Sequence, residues 1–249
     1  MIGARVHAYL RSLAGSSARR SGPFLLKLDD HDDAPPFNYA IPDDDAAPTA
    51  DDIAALVAAF RERARMPRLE YVPQCAPEVE AALLEAGFTA EGRYPLLVCP
   101  PREAVDAPAD PAVRIGLVTE EPVLWEVARV MNAAFGAPEA KEHDVARLRR
   151  ILDGGGLVAA ASTTTGEVVG AGQLGIPHEG VAEVAGIAVR DSHRRRGIGG
   201  AVTHLLTRAG ADAGISTPFL TPGDDAAGRV YARVGYRKVG EVLHISLPR

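Results

Sequence analysis

Two cysteines in 249 residues, Cys75 and Cys99, are too few and too far apart for a disulfide framework or a zinc site. They read as reduced thiols, and no metal is implied. Long apolar runs are missing too, and none approaches the roughly 20 residues of a membrane-spanning helix. The opening segment carries Arg5, Arg11, Arg19 and Arg20 but no uninterrupted apolar core of a signal peptide. Positive charge is in deficit, with 27 Lys and Arg against 33 Asp and Glu and a net charge of −6. A broad basic surface for nucleic acid is therefore not expected. These absences predict a cytoplasmic protein with no nucleic-acid and no membrane partner.

What is present is a globular composition, 47% hydrophobic and 24% charged, long enough for one large or two small domains. The most informative stretch runs from Val184 to Gly200. An apolar run ending Ile187-Ala188-Val189 passes through Asp191-Ser192-His193 into Arg194-Arg195-Arg196-Gly197-Ile198-Gly199-Gly200. It reads as a buried strand, a basic turn and a helix that opens on glycines. Such a helix start offers unpaired N–H donors and about half a positive charge, which suits a phosphate or diphosphate. No Lys-Ser/Thr follows the glycines, so a nucleotide-hydrolysing P-loop is not indicated, and the three-glycine dinucleotide pattern is incomplete.

Farther on, Phe219-Leu220 reads as a short strand, Asp225 to Val234 as a helix, and Gly235 as the left-handed residue that ends it. Val239 to Leu247 then alternates as a strand. Arg-x-x-Gly-x-Gly after a strand, followed by Tyr231-Ala232-Arg233-Val234-Gly235-Tyr236 before a last strand, resembles the GNAT superfamily of acyl-CoA-dependent N-acyltransferases. The resemblance is good over Pro111 to Arg249. It implies an α/β fold of GNAT type, a mixed central sheet flanked by helices. It also implies acetyl-CoA as co-substrate, gripped by the amides of Gly197, Ile198, Gly199 and Gly200 and by Arg194, Arg195 and Arg196. The thioester carbonyl would take a backbone N–H near Ile187, Ala188 or Val189. Tyr231 would give the departing thiol its proton, and Glu183 would take the proton of a primary amine that attacks directly in a ternary complex, with His178 as second choice.

One departure concerns Asp224, where many family members carry Asn. An Asp still caps a helix but cannot donate as an amide does. The acceptor is a small-molecule or peptide amine, and Glu139, Glu142 and Asp144 are either its attractors or ordinary surface charges. Homodimerisation is left open. A non-catalytic acyl-CoA sensor and an interaction protein are the alternative functions, and Tyr231 favours an enzyme.

The N-terminal region echoes the same ending. Leu83-Leu84-Glu85-Ala86-Gly87-Phe88 followed by Tyr94 to Val98 aligns with Tyr231 to Tyr236 and its following strand. A helix capped by Thr49, with Ile53, Leu56, Val57 and Phe60 on one face, precedes it. The reading is a degenerate GNAT-like domain over 1–100, a proline-rich linker over 101–111 and a catalytic domain over 112–249. Leu83 stands where the second copy has Tyr231, and Ala50-Asp51-Asp52 stands where it has arginines and glycines. The first copy therefore lacks the chemistry.

Overall fold

The computed structural model describes residues 1–15 and 18–248, and the chain divides into two compact units. The first comprises Met1–Leu96 with Lys238–Arg249, and the second Leu97–Arg237. In chain order the elements up to the division are α1 (Ile2–Ser12), β1 (Arg19–Ser21), β2 (Phe24–Lys27), β3 (Tyr39–Pro42), α2 (Ala50–Glu62), β4 (Arg68–Tyr71), α3 (Val79–Glu85) and β5 (Thr89–Val98). There follow β6 (Val113–Leu117), α4 (Glu121–Ala134), α5 (Glu142–Asp153), β7 (Leu157–Thr163), β8 (Val168–Leu174), β9 (Val181–Val189), α6 (Ile198–Ala209), β10 (Thr217–Leu220), α7 (Asp225–Val234) and β11 (Arg237–Ser246). No helix among the described residues is long and apolar enough to cross a membrane.

In the first unit β1, β2 and β3 form an antiparallel meander, β4 lies parallel to β3 through Ala40 and Leu69, and β11 pairs antiparallel with β4 from Leu243↔Tyr71 to Ser246↔Arg68. Helix α2 starts where the sequence predicts it. Thr49 and Asp52 form a reciprocal capping box, and Ile53, Leu56 and Phe60 are buried.

This arrangement redraws the predicted boundaries. The last strand, expected in a domain over 112–249, belongs to the first unit's sheet, because its alternation declares a strand without naming the neighbour that satisfies its hydrogen bonds. Arg249, the end of that expected domain, lies outside the described residues. Residues 101–111 are not a free tether either. Val105 N donates to Val234 O at 2.8 Å, and Asp110 N donates to Arg196 O at 3.0 Å, which lays the segment along the second unit. Prolines keep it out of the sheet, but its remaining polar groups still find partners.

The second unit has its strands in the order β6-β7-β8-β9-β10. The pairings are antiparallel except β9 with β10, which run parallel, and the end of β5 adds Leu97 and Val98 antiparallel to Leu220 and Phe219. Strand β6 falls beyond the linker and was not foreseen, although Val113, Ile115 and Leu117 alternate with period two. Helices α4 and α5 bury Leu124, Val127, Val130, Val145 and Leu148 in one cluster with Val158, Ala160, Val168, Ala171 and Ala188 of the sheet. Thr119 does not cap α4, whose N-cap is Glu120, with Pro122 in the first turn. Helix α6 closes directly on β8, where a Cβ at Gly172 would come within 2.7 Å of Val202, so glycine in the strand is what permits the approach.

Tyr236, just past α7, is buried and its hydroxyl meets Thr207 Oγ1 of α6 at 2.7 Å. Thr207 keeps a second bond, to Thr203 O at 2.7 Å. Tyr236→Phe should therefore cost only about 1 kcal/mol of stability, read as a small fall in denaturation midpoint at unchanged slope.

Candidate active site

Strand β10 accompanies β9 only over Val181–Glu183, after which β9 continues alone on that side to Val189. The parting has a local cause. Gly186 has φ +63°, and the β8–β9 register shifts between Ala171 and Gln173, so β9 carries a bulge that bends it away. A Cβ on Gly186 would lie 3.0 Å from Met131 Cε of α4, a side-chain tip that can shift, so it is the left-handed backbone conformation that calls for glycine here. The bulge was missed from sequence, although a glycine inside an apolar strand is a signal for one. Backbone groups of Ile187, Ala188 and Val189 thus have no β10 partner, as a thioester carbonyl in need of a donor would require.

The fork leads to the basic turn. Arg190 ties the end of β9 to β8 through Val168 O at 2.8 Å, and one tight helical turn, Asp191–His193, precedes the arginines. All three arginines are exposed. Arg194 pairs with Asp191 at 2.9 Å, and Arg196 bonds Ser192 O at 3.3 Å and reaches Asp110 at 3.4 Å. Arg195 has φ +63° and no ion pair among the described residues.

Gly197, with φ +76°, is the left-handed N-cap of α6 and supplies no side chain to the helix start. The first α6 residue to find an acceptor is Ala201, whose N–H bonds Gly197 O at 3.0 Å, which leaves the amides of Ile198, Gly199 and Gly200 without an acceptor among the described residues. Gly197 is exposed, Gly199 half-buried, and Ile198 and Gly200 buried. A Cβ on Gly199 would stand 3.6 Å from Ile187 and 3.8 Å from Val189, so the end of the fork and the helix start are contiguous.

The first unit shows the opposite chemistry at its own strand–helix junction. Asp52 N already bonds Thr49 Oγ1 at 3.2 Å, and Asp51 and Asp52 sit in the first turn of α2. Burial would raise the Asp43 carboxyl, but hydrogen bonds from Arg20 and Arg11 outweigh it and hold the group below its usual range. A helix start whose cap is filled and whose first turn carries two carboxylates repels a diphosphate.

Tyr231 is half-buried on α7, edge-on to Tyr236 with ring centroids 6.2 Å apart. Burial, reinforced by the charge of Asp224, pushes its hydroxyl up to about 12. The hydroxyl makes no hydrogen bond to any described residue, so its proton is available to a ligand. Asp224 caps α7 by accepting from Ala227 N at 2.7 Å, and Gly235 ends the helix at φ +108°, both as expected. Glu183 is half-buried at the last β9–β10 rung, opposite Phe219, at the apex of the fork. His178 lies outside the fork, in a bridge to Val181. The acidic residues in the first turn of α5 are partly engaged. Asp144 caps α5 through Lys141 N at 2.8 Å and pairs with Arg147 at 2.9 Å, and Glu142 pairs with Arg149 at 2.7 Å.

Residues 124–236 match the family described as Acetyltransferase (GNAT) family, and the chain carries a domain of that family. The family uses acyl-CoA as co-substrate, so the domain is an acyltransferase.

Solved structures share the fold. A GCN5-related N-acetyltransferase from Kribbella flavida is similar at TM-score 0.81 and 24% identity, over 100% of this chain and 96% of that one. A tandem GNAT protein from the clavulanic acid biosynthesis pathway is similar at TM-score 0.64 and 14% identity, over 98% of this chain and 88% of that one. A GCN5-related N-acetyltransferase from Sphaerobacter thermophilus is similar at TM-score 0.63 and 14% identity, over 85% and 73%. No curated protein matches the chain.

Proposed function

We propose that the protein is an N-acetyltransferase that moves an acetyl group from acetyl-CoA to a primary amine by direct attack within a ternary complex. The observation that carries this reading is the uncapped start of α6 at the mouth of the β9–β10 fork. Gly197 to Gly200 and the arginines hold the diphosphate, and the pantetheine arm lies along the exposed edge of β9.

The attacking nitrogen must be neutral, yet an alkyl ammonium has a pKa of about 10.4 and is almost wholly protonated near pH 7. Glu183 takes that proton directly or through water. Attack forms a C–N bond as the carbonyl oxygen accepts an N–H of the Ile187–Val189 stretch, and collapse breaks the C–S bond. The Tyr231 phenol, at about 12, is a weaker acid than a thiol of about 8.5, so complete transfer from it alone is uphill. Its hydroxyl first stabilises the thiolate with a hydrogen bond, and its proton moves to sulfur as the proton shed by the amine replenishes it. The products are the amide and the free thiol of CoA.

The first unit is a degenerate copy of the same fold. Strand β3, helix α2 and parallel strand β4 repeat the order of β9, α6 and β10, and Leu83 in place of a tyrosine leaves it without an acid. Its role is packing, acceptor selection or assembly. Free Cys75 and Cys99 support a cytoplasmic location.

Calorimetry with acetyl-CoA followed by thiol release over a panel of amines tests the proposal. Binding with turnover on at least one amine supports it, and binding with turnover on none moves the protein to the sensors. Glu183→Gln should lower kcat/KM for the amine about a hundredfold at pH 7. The deficit should shrink as pH rises toward the amine pKa, because each unit raises the neutral amine about tenfold and the base becomes dispensable. A deficit independent of pH would remove Glu183 from the role.

A further inference from the structure

Residues 101–111 do more than connect. Along α6, Arg208 Nη1 donates to Pro101 O at 3.0 Å, His204 Nδ1 meets Val105 O at 2.8 Å, and Ala107 Cβ lies 3.4 Å from where a Cβ on Gly200 would be. Val105 N is held by Val234 O of α7 at 2.8 Å. The strap ends against the basic turn. Pro108 O sits only 2.3 Å from the position of a Cβ on Gly197, and Asp110 holds Arg196 twice, by N–H to Arg196 O at 3.0 Å and by Oδ2 to Nη1 at 3.4 Å. Asp110 Oδ1 also accepts from Ala112 N at 2.9 Å, which fixes the carboxylate. Prolines at 101, 108 and 111 restrict the strap before it folds, so ordering it costs little chain entropy.

We propose that Asp110 is a positioning residue for acyl-CoA, acting through Arg196: the strap preforms the diphosphate loop by clamping the main chain and side chain of Arg196 beside Gly197. This rests on the proposed function, since the loop has work only if it binds a diphosphate. A carboxylate near an anion site would by itself weaken binding. Here its charge is spent on Arg196 and on the Ala112 amide, and it holds the guanidinium at the mouth of the loop.

The test is a double-mutant cycle on the full chain, with calorimetric affinity for CoA as the readout. Asp110→Asn keeps an acceptor for Ala112 N but removes the charge that aligns Arg196. It should weaken CoA binding about tenfold with no fall in melting temperature, and Asp110→Glu should retain most of the affinity. In an Arg196→Ala background, where the Asp110 carboxylate is left unpaired beside the anion, the Asp110→Asn change should cause no loss of affinity and should give a small gain. Undiminished affinity on Asp110→Asn, or an equal loss with and without Arg196, would overturn the positioning role. Failure of the unaltered chain to bind CoA at all would instead overturn the proposed function.

Discussion

Tyr231→Phe is expected to lower kcat about a hundredfold while leaving the affinity for the acyl donor nearly unchanged. The ring is retained, so its edge contact with Tyr236 and the packing of α7 persist, and only the hydroxyl is lost. That hydroxyl spends no hydrogen bond on any described residue, so the substitution leaves no orphaned partner, and a loss of rate reports chemistry rather than folding. The pH profile separates its role further. Because burial and Asp224 push the phenol up to about 12, it stays protonated through the whole working range, and no alkaline fall in kcat near 10 should arise from it. Turnover unchanged in Tyr231→Phe would remove it as the acid. A KM that rose in step with a constant kcat would make it a binding group.

Gly197→Val is expected to reduce affinity for acetyl-CoA at least about a hundredfold. Two costs coincide at this position. A β-branched residue at φ +76° is strained by roughly 1–3 kcal/mol, and its Cβ would fall 2.3 Å from Pro108 O, backbone that cannot swing aside as a side chain can. The chain relieves both by moving the turn or the strap, and either movement dismantles the donors at the start of α6. Gly199→Ala is the control. Its added methyl would meet Ile187 and Val189 at 3.6 and 3.8 Å, ordinary contact distances, so the fold should keep its melting temperature and the affinity should fall far less. Calorimetric titration of both variants with acetyl-CoA reads the difference, and equal affinities would show that the left-handed cap is not part of the site.

The parts of this site that were legible in the sequence are those set by local chemistry. Gly235 announces a left-handed position, Asp224 announces a cap, and the run from Ile187 through three arginines into glycines announces a strand meeting a helix start, although the left-handed backbone at Gly197 itself was not foreseen. Non-local choices were not legible. The alternation in β11 is the same whichever strand it joins, so its pairing with β4 could not be read from it. The bulge at Gly186 left only a glycine inside an apolar strand as its trace, because the place where the register slips is set by the pairing with β8 and not by β9 alone. The strap was taken for a linker because proline and alanine describe what a segment cannot do in a sheet, while its bonds to Val234, His204 and the main chain of Arg196 are made by backbone atoms that every residue carries, and the Asp110 carboxylate that meets the Arg196 side chain reads in sequence as any surface acid.

The helix start of α6 as the grip on the acyl carrier can be tested by amide NMR of the labelled full chain during titration with CoA. The expected result is saturable, coupled movement of the Ile198, Gly199 and Gly200 amides, with the first-turn amides of α2 left in place. Saturation of CoA binding with the α6 amides unmoved would contradict it.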